Sequence, residues 1–366
     1  MQRSIYIRPI GIFHPHAGAG AETGDEVWGG LPLAGGPLAF SALEVIERNG
    51  KSASRRAIGL GDFLERDWGR NTLMASDLLE AIRAPRPRLS GLALDRPRIM
   101  GIVNVTPDSF SDGGSYANAQ AAIEQALRMV EEGADILDIG GESTRPGSDA
   151  VPLDEELRRV MPVLEGLRAK TEALISVDTR KSEVMRHAAA AGADILNDVS
   201  ALTHDPKALD VAAQSGLPVM LMHAQGDPKT MNDNPQYSDV VLDVFDFLEG
   251  RIRACEAAGI PKAKLVADPG IGFGKHLPHN VAVLNAMSLY HGLGVPVLLG
   301  ASRKKLIGQL CSTDDPKERV PGSIAAALSS IAQGVQIVRV HDVAAMKQAV
   351  CVWQAVARGT EGSVPA

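Results

Sequence analysis

Asp178, Asn197 and Asp268 each stand at or near the point where a short apolar run of the sequence stops. They bring mostly hydrogen-bond acceptors, and buried carboxylates recognise ring N–H and amino groups by paired hydrogen bonds. Three such residues in one confined space suit a flat heterocycle. Arg339, His341 and Arg303 are cationic or can become so, which suits a phosphate or pyrophosphate. Asn104, Asp108 and Asp112 are hard oxygen ligands, suited to Mg²⁺ bound together with phosphates. Beside Pro107 and Gly113-Gly114, Asp108 and to a lesser degree Asp112 also fit simple turn formation. Lys304 could pair with Asp268 or donate to a ring carbonyl. Phe110 and Arg145 sit in two stretches rich in Pro, Gly, Ser and Thr, the composition of loops that close over a substrate. Gly270-Ile-Gly-Phe-Gly274 lacks the full dinucleotide fingerprint and comes late in the chain; it reads as backbone passing close to a ligand.

A lone Asp or His at a strand end is ordinarily a loop-fastening group. A set that follows nearly every apolar run requires a common architecture. The runs are Ile99–Val105, Asp135–Ile139, Leu174–Val177, Ile195–Val199, Pro218–Met222, Leu265–Ala267, Val295–Leu299 and Ile337–Val340. Continuous apolar runs of this length predict strands of a parallel sheet covered on both faces. Between them, Asn118 is placed to cap a helix with Ile123, Ala126, Leu127 and Val130 on one face and Gly133 at its end. Leu157, Val160, Met161 and Leu164 repeat that spacing, with Pro162 predicting a kink. Tyr237–Ala258 and Val343–Val356 complete the longer helices. Eight strands alternating with helices predict an α/β fold, a (β/α)8 TIM barrel whose site lies at the C-terminal strand ends. An open doubly wound sheet is the alternative, but it concentrates ligand residues at one switch point.

The 366 residues hold a barrel of roughly 250 residues plus an added segment. A net charge of −7 argues against a general binder of nucleic acid or anionic membranes. Cys255, Cys311 and Cys351 form neither a zinc spacing nor a disulfide framework. The N-terminus lacks the apolar core of a signal peptide, and no run spans a bilayer. The expectation is a cytoplasmic protein. Residues 1–96 read as an N-terminal extension of unknown role, and residues 97–366 as the barrel. In the extension, Gly11–Pro37 reads as loop, Ala39–Arg48 and Leu73–Arg83 as short helices, and Pro85 and Pro87 as a linker. His14 and His16 lack a third ligand nearby and read as part of a polar loop.

Thr106-Pro-Asp-Ser-Phe-Ser-Asp-Gly-Gly114, Gly140-Gly-Glu-Ser-Thr-Arg-Pro-Gly147, Asp268-Pro-Gly-Ile-Gly-Phe-Gly-Lys275, Ser302-Arg-Lys304 and Arg339-Val-His341 resemble, in order, the motifs of the dihydropteroate synthase family. The resemblance runs from about Arg98 to the C-terminus. It implies condensation of 6-hydroxymethyl-7,8-dihydropterin diphosphate with 4-aminobenzoate, release of pyrophosphate, Mg²⁺ as cofactor and a homodimer. It further implies that Asp178, Asn197, Asp268 and Lys304 hold the pterin, with Met222 against the ring. Asn104 and Asp112 would hold the metal, and Thr144, Arg339 and His341 would surround the diphosphate. Phe110, Arg145, Pro146 and Ser302 would wall the aminobenzoate pocket, which sulfonamides also occupy. Asp178, Lys304, Asp112 and Arg145 are the implied catalytic set. Lys305 departs from the small polar residues also found at that position. Two other readings share the pocket: a pterin-dependent methyltransferase, which has no need of the anion-handling residues, and a non-catalytic pterin-binding paralogue, which should have lost some of them.

Overall fold

Four strands open the chain: β1 (Ile5–Phe13), β2 (Leu31–Pro32), β3 (Ala39–Asn49) and β4 (Ser52–Gly59). The computed structural model describes residues 4–15, 29–105, 115–143, 147–226 and 229–359, with the backbone alone at 115–117. β3 is the centre of an antiparallel sheet, paired with β1 on one side and with β2 and β4 on the other. The expectation of a helix over Ala39–Arg48 is therefore wrong. Its apolar residues Phe40, Leu43, Val45 and Ile46 fit either period over so short a run. The deciding signal lay just beyond them. Gly50, at φ +61°, heads the two-residue turn that joins Asn49 to Ser52, a Gly-first hairpin connection. Helices α1 (Leu60–Glu65) and α2 (Thr72–Arg83) follow, the second where a helix was expected.

The eight apolar runs form strands β5 (Arg98–Asn104), β6 (Ile136–Gly140), β7 (Leu174–Asp178), β8 (Ile195–Asp198), β9 (Val219–Met222), β10 (Leu265–Asp268), β11 (Leu298–Leu299) and β12 (Ile337–Val340). Their order in the sheet is β10-β9-β8-β7-β6-β5-β12-β11, all parallel. The Ala267–Val297 bridge joins the two ends and closes a (β/α)8 barrel. Around it lie α3 (Ser115–Glu131), α4 (Leu153–Arg168), α5 (Ser182–Ala190), α6 (Ala208–Ser215), α7 (Val240–Ala257), α8 (Leu277–Asn285), α9 (Lys305–Cys311), α10 (Val320–Ile331) and α11 (Val343–Arg358). α3 starts at Ser115, so Asn118 is inside it rather than its cap; the alanines at 117, 119, 121 and 122 favour the extra turn. α4 runs through Pro162 unbroken. Val160, Val163, Leu164 and Leu167 are buried on either side of it and offset the hydrogen bond that proline cannot make.

Side chains alternate across a strand, and here the alternation sorts the barrel interior. Met100, Ile136, Ile195, Met220, Val266, Leu298 and Ile337 form a buried apolar cluster separate from the larger core outside the strands. Leu89 and Leu94, from the segment before β5, complete it. Leu89 and Leu92 exchange backbone hydrogen bonds of 2.9 Å across Ser90 (φ +46°) and Gly91 (φ +86°). This tight turn stops the N-terminal end of the barrel. Arg98 ties it to the rim, donating to the Ala93 carbonyl (2.7 Å) and to Asp95 and Asp135 (3.0 Å each).

The antiparallel sheet packs outside the barrel against α7 and the turn at 287–293. The Tyr6 hydroxyl donates to Asp246 (2.7 Å), and its ring stands edge-on to Phe245, centroids 5.5 Å apart. Arg48 pairs with Asp243 and, at 3.3 Å, with Asp246. Ser288 Oγ donates to the Pro9 carbonyl (2.9 Å). Truncating the stopper, Leu89→Ala, is expected to destabilise the fold by about 2–5 kcal/mol, as for other buried leucines. Chemical denaturation checks this; an unchanged midpoint would show that Leu89 carries no packing energy.

Candidate active site

Two residues above the apolar layer, the same inward face turns polar. Ile136 is followed by Asp138, and Ile337 by Arg339. Val266 is followed by Asp268, Met220 by Met222 and Ile195 by Asn197. Strand register places Asp178 opposite Asn197, and Asp268 opposite Met222. Arg339 reaches across this layer. Its Nε donates to Asp138 Oδ2 (2.6 Å) and its Nη2 to Asp178 Oδ2 (2.8 Å). Asn197 Nδ2 adds a bond to Asp138 Oδ2 (3.1 Å). Burial pulls the Arg339 pKa down, but the two carboxylates outweigh it and hold it above the usual value. Burial pushes Asp178 up to about 7; Asp138, Asp198 and Glu156 push the same way, and Arg339 opposes.

Asp138 was not singled out in the sequence. It lies within the run Asp135–Ile139, and its signal was positional: a polar residue two after Ile136 and two before Gly140 must share their face. The outer oxygens of this pair, Asp138 Oδ1 and Asp178 Oδ1, are buried with no hydrogen-bond partner among the described residues. Buried acceptors are rarely left unpaired, so the wall is suited to a ligand that donates.

The opposite wall is built on the loop after β10. Gly270 N–H donates to Asp268 Oδ1 (2.7 Å), and burial raises the Asp268 pKa against the pull of Lys304, Gly270 N–H, Lys275 and Arg339. Lys304 bonds the Ile271 carbonyl and lies 4.5 Å over the Phe273 ring. A Cβ at Gly300 would meet Asp268 Oδ2 at 3.8 Å and Lys304 Nζ at 3.9 Å, so the two flank that glycine. Gly270 (φ +71°) and Gly274 (φ +61°) are required by protein rather than ligand. A Cβ would fall 1.9 Å from the His223 carbonyl in the first case and 2.4 Å from the Gln225 carbonyl in the second. Met222 packs beside Gly270. His223 is buried and neutral, its pKa pulled well down by burial and then by Lys275.

Ser302 and His341 come together, Oγ to Nδ1 at 3.0 Å. Arg303, in the left-handed region at φ +57°, is committed to Asp342 through Nε (2.9 Å) and Nη2, so the structure does not bring it to the wall as an anion ligand. Lys305 is exposed at the start of α9. Asn104 closes β5 opposite Gly140. Glu142 fastens the start of the second long loop: it accepts from Val151 N (3.1 Å), Arg180 (3.1 Å) and Lys181 (2.9 Å). Asp108, Phe110, Asp112, Thr144, Arg145 and Pro146 lie outside the described residues. Among the described residues no three His, Cys, Asp or Glu side chains form a metal cluster. His14 packs edge-on against Trp353, centroids 5.4 Å apart.

Residues 100–341 match the model of a family described as pterin binding enzymes. The sequence is 48% identical over 272 residues to the dihydropteroate synthase of Escherichia coli (strain K12), covering 74% of this chain and 96% of that one. A dihydropteroate synthase structure from Xanthomonas albilineans with 4-aminobenzoic acid superposes with a TM-score of 0.70. It is 56% identical and covers 74% of this chain and 98% of its own. A structure from the same organism in complex with 7,8-dihydropteroate gives 0.67 at 52% identity, with the same coverage.

The wall has a titration of its own. A carboxyl whose pKa is raised holds its proton until pH climbs through the raised value. Asp178 is therefore expected to titrate near pH 7, as followed by carboxyl ¹³C chemical shifts. A donor ligand should lose affinity as pH falls through that point. A midpoint near 4 would show that the carboxyl is solvated.

Proposed function

The chain belongs to the pterin-binding enzyme family, and we propose on that premise that its barrel mouth is a dihydropteroate synthase site. The reaction condenses 6-hydroxymethyl-7,8-dihydropterin diphosphate with 4-aminobenzoate, giving 7,8-dihydropteroate and pyrophosphate in folate biosynthesis. The carrying observation is the inward polar layer itself. Asp178 and Asn197 on one wall, and Asp268 and Lys304 on the other, offer acceptors and a donor suited to a flat ring, and two wall oxygens lack donors among the described residues. These four residues bind the pterin, with Met222 against the ring. Thr144, Arg339 and His341 surround the diphosphate, and Phe110, Arg145, Pro146 and Ser302 form the aminobenzoate pocket.

In the reaction the bond between the pterin methylene and the diphosphate oxygen breaks, and a bond from the methylene to the amine nitrogen forms. The aromatic amine attacks as a neutral nucleophile and then loses a proton, so no strong general base is needed. Positive charge gathers on the methylene and pterin as the leaving group departs. Ionised Asp178 at the ring edge stabilises it, as a fixed dipole or charge does in a site closed to water. Lys304 orients the ring through its carbonyl, and Arg145 meets the aminobenzoate carboxylate.

Mg²⁺ keeps several waters and takes substrate phosphates, so it needs only one or two protein oxygens. Asn104, at the mouth end of β5, and Asp112 suit that demand without a carboxylate cluster. Bound there, the ion would neutralise charge on the departing pyrophosphate. The cytoplasmic setting is likewise part of this reading; no helix among the described residues is long and apolar enough to cross a membrane. Exposed Leu310, Val352 and Val356 on α9 and α11 support a homodimer through the late helices.

The decisive assay combines purified protein, Mg²⁺, pterin diphosphate and 4-aminobenzoate, with pyrophosphate release as the signal. Release is expected, and chelation of Mg²⁺ should lower it by at least tenfold. Asp178→Asn should cut kcat/KM by about 10²-fold, the scale of one lost electrostatic stabiliser. Bound substrates without release would overturn the catalytic reading; normal turnover by the variant would remove Asp178 from it. A methyltransferase would instead turn over a methylated pterin without the diphosphate.

We further propose that residues 1–96 are a structural extension of the barrel, because they supply its lower stopper and cover α7. A chain starting at Pro97 is expected to melt well below the full chain or to precipitate. An equal melting temperature, measured by circular dichroism, would make the extension dispensable.

A further inference from the structure

Lys275 is buried, 3% exposed, immediately behind the loop that carries Asp268 and receives Lys304. Every polar atom recorded around its Nζ can accept: His223 Nδ1 at 2.8 Å, Gly270 O at 2.9 Å, Phe273 O at 3.2 Å and His223 O at 3.4 Å. An amine or ammonium nitrogen brings at least two N–H donors, and the Gly270 and Phe273 carbonyls take two of them.

Two of those partners bracket Asp268. Gly270 accepts from Lys275 through its carbonyl and donates to Asp268 Oδ1 through its own N–H (2.7 Å). His223 accepts from Lys275 through its carbonyl (3.4 Å) and donates its backbone N–H to the Asp268 carbonyl (3.0 Å). The next residue along the loop, Ile271, receives Lys304. We propose that Lys275 is the positioning residue of the pterin site, a buried side chain whose N–H donors fix the Gly270–Phe273 backbone so that Asp268 and Lys304 face the ring together. It touches no substrate and acts through the backbone of Gly270 and His223.

The charges around the site agree. Asp268 faces Lys304 from the start of α9, Lys275 from beneath the loop and Arg339 from β12, and all three oppose the effect of its burial. Burial holds Lys275 well below the ordinary lysine value; Asp268 opposes this, and Lys304 adds to it. His223, also facing Lys275, is held neutral. Without Lys275 the Asp268 carboxyl loses one of these three basic groups and holds its proton to higher pH.

The inference rests on the pterin reading above, so the wild-type assay is its control: an inactive wild type overturns that reading and this role with it. With active wild type, Lys275→Met is compared with Lys275→Arg, folding of each being checked by circular dichroism. Lys275→Met should raise KM for the pterin diphosphate at least tenfold and leave KM for 4-aminobenzoate within twofold. Its pterin KM should climb further as pH falls from 8 to 6, more steeply than in wild type, and Lys275→Arg should recover part of the loss. If Lys275→Met does not fold, Lys275→Gln, which keeps two N–H donors on a shorter, uncharged side chain, carries the same comparison. A folded variant with wild-type pterin KM, or one that weakens both substrates equally, overturns the proposal.

Discussion

One guanidinium shared by two carboxylates governs the inner wall of this barrel. Arg339 sits among Asp138, Asp178 and, through Asp138, Asn197. An isolated charge in such a place would cost several kcal/mol. Two carboxylates facing one guanidinium leave a net negative wall, and its tension falls on Asp178, whose pKa is pushed up to about 7 by burial above all. A ligand that brings donors relieves this tension, because it satisfies oxygens that the protein leaves without partners. The same surplus of acceptors that makes the wall costly in the free protein suits it to a ligand that brings donors.

The opposite wall solves the reverse problem. Asp268 is as enclosed as Asp178 but has N–H donors and cations close by. The loop that holds it follows a tight path against the backbone after β9, possible only because Gly270 and Gly274 carry no Cβ. The two carboxylates are therefore held by different means, one through a shared arginine and the other through backbone.

The N-terminal sheet and the Leu89–Leu92 turn belong to the same economy of burial. The barrel leaves an apolar end and an apolar flank, at α7 and the 287–293 turn. The described residues before β5 cover both, with Arg48 and Tyr6 meeting acidic residues of α7 at the seam. Leu89 and Leu94 then continue the inward apolar layer from outside the sheet.

Much of this was legible in the sequence because parallel strands buried on both faces read as continuous apolar runs. The eight runs and the residues that close them gave the barrel and most of the mouth; the motif order gave the family. The extension was misread at Ala39–Arg48, where a short run fits both periods and only the Gly50 turn and the partner strands decide. Asp138 stayed hidden because a polar residue inside an apolar run has no meaning until the neighbouring strands fix which way it points. Arg303 looked like an anion ligand beside Lys304, yet a left-handed backbone at that residue accompanies its turn to Asp342. Residue type and local spacing are properties of the chain alone. Which buried charges share a partner depends on strand register around a closed barrel, and only the tertiary structure sets that.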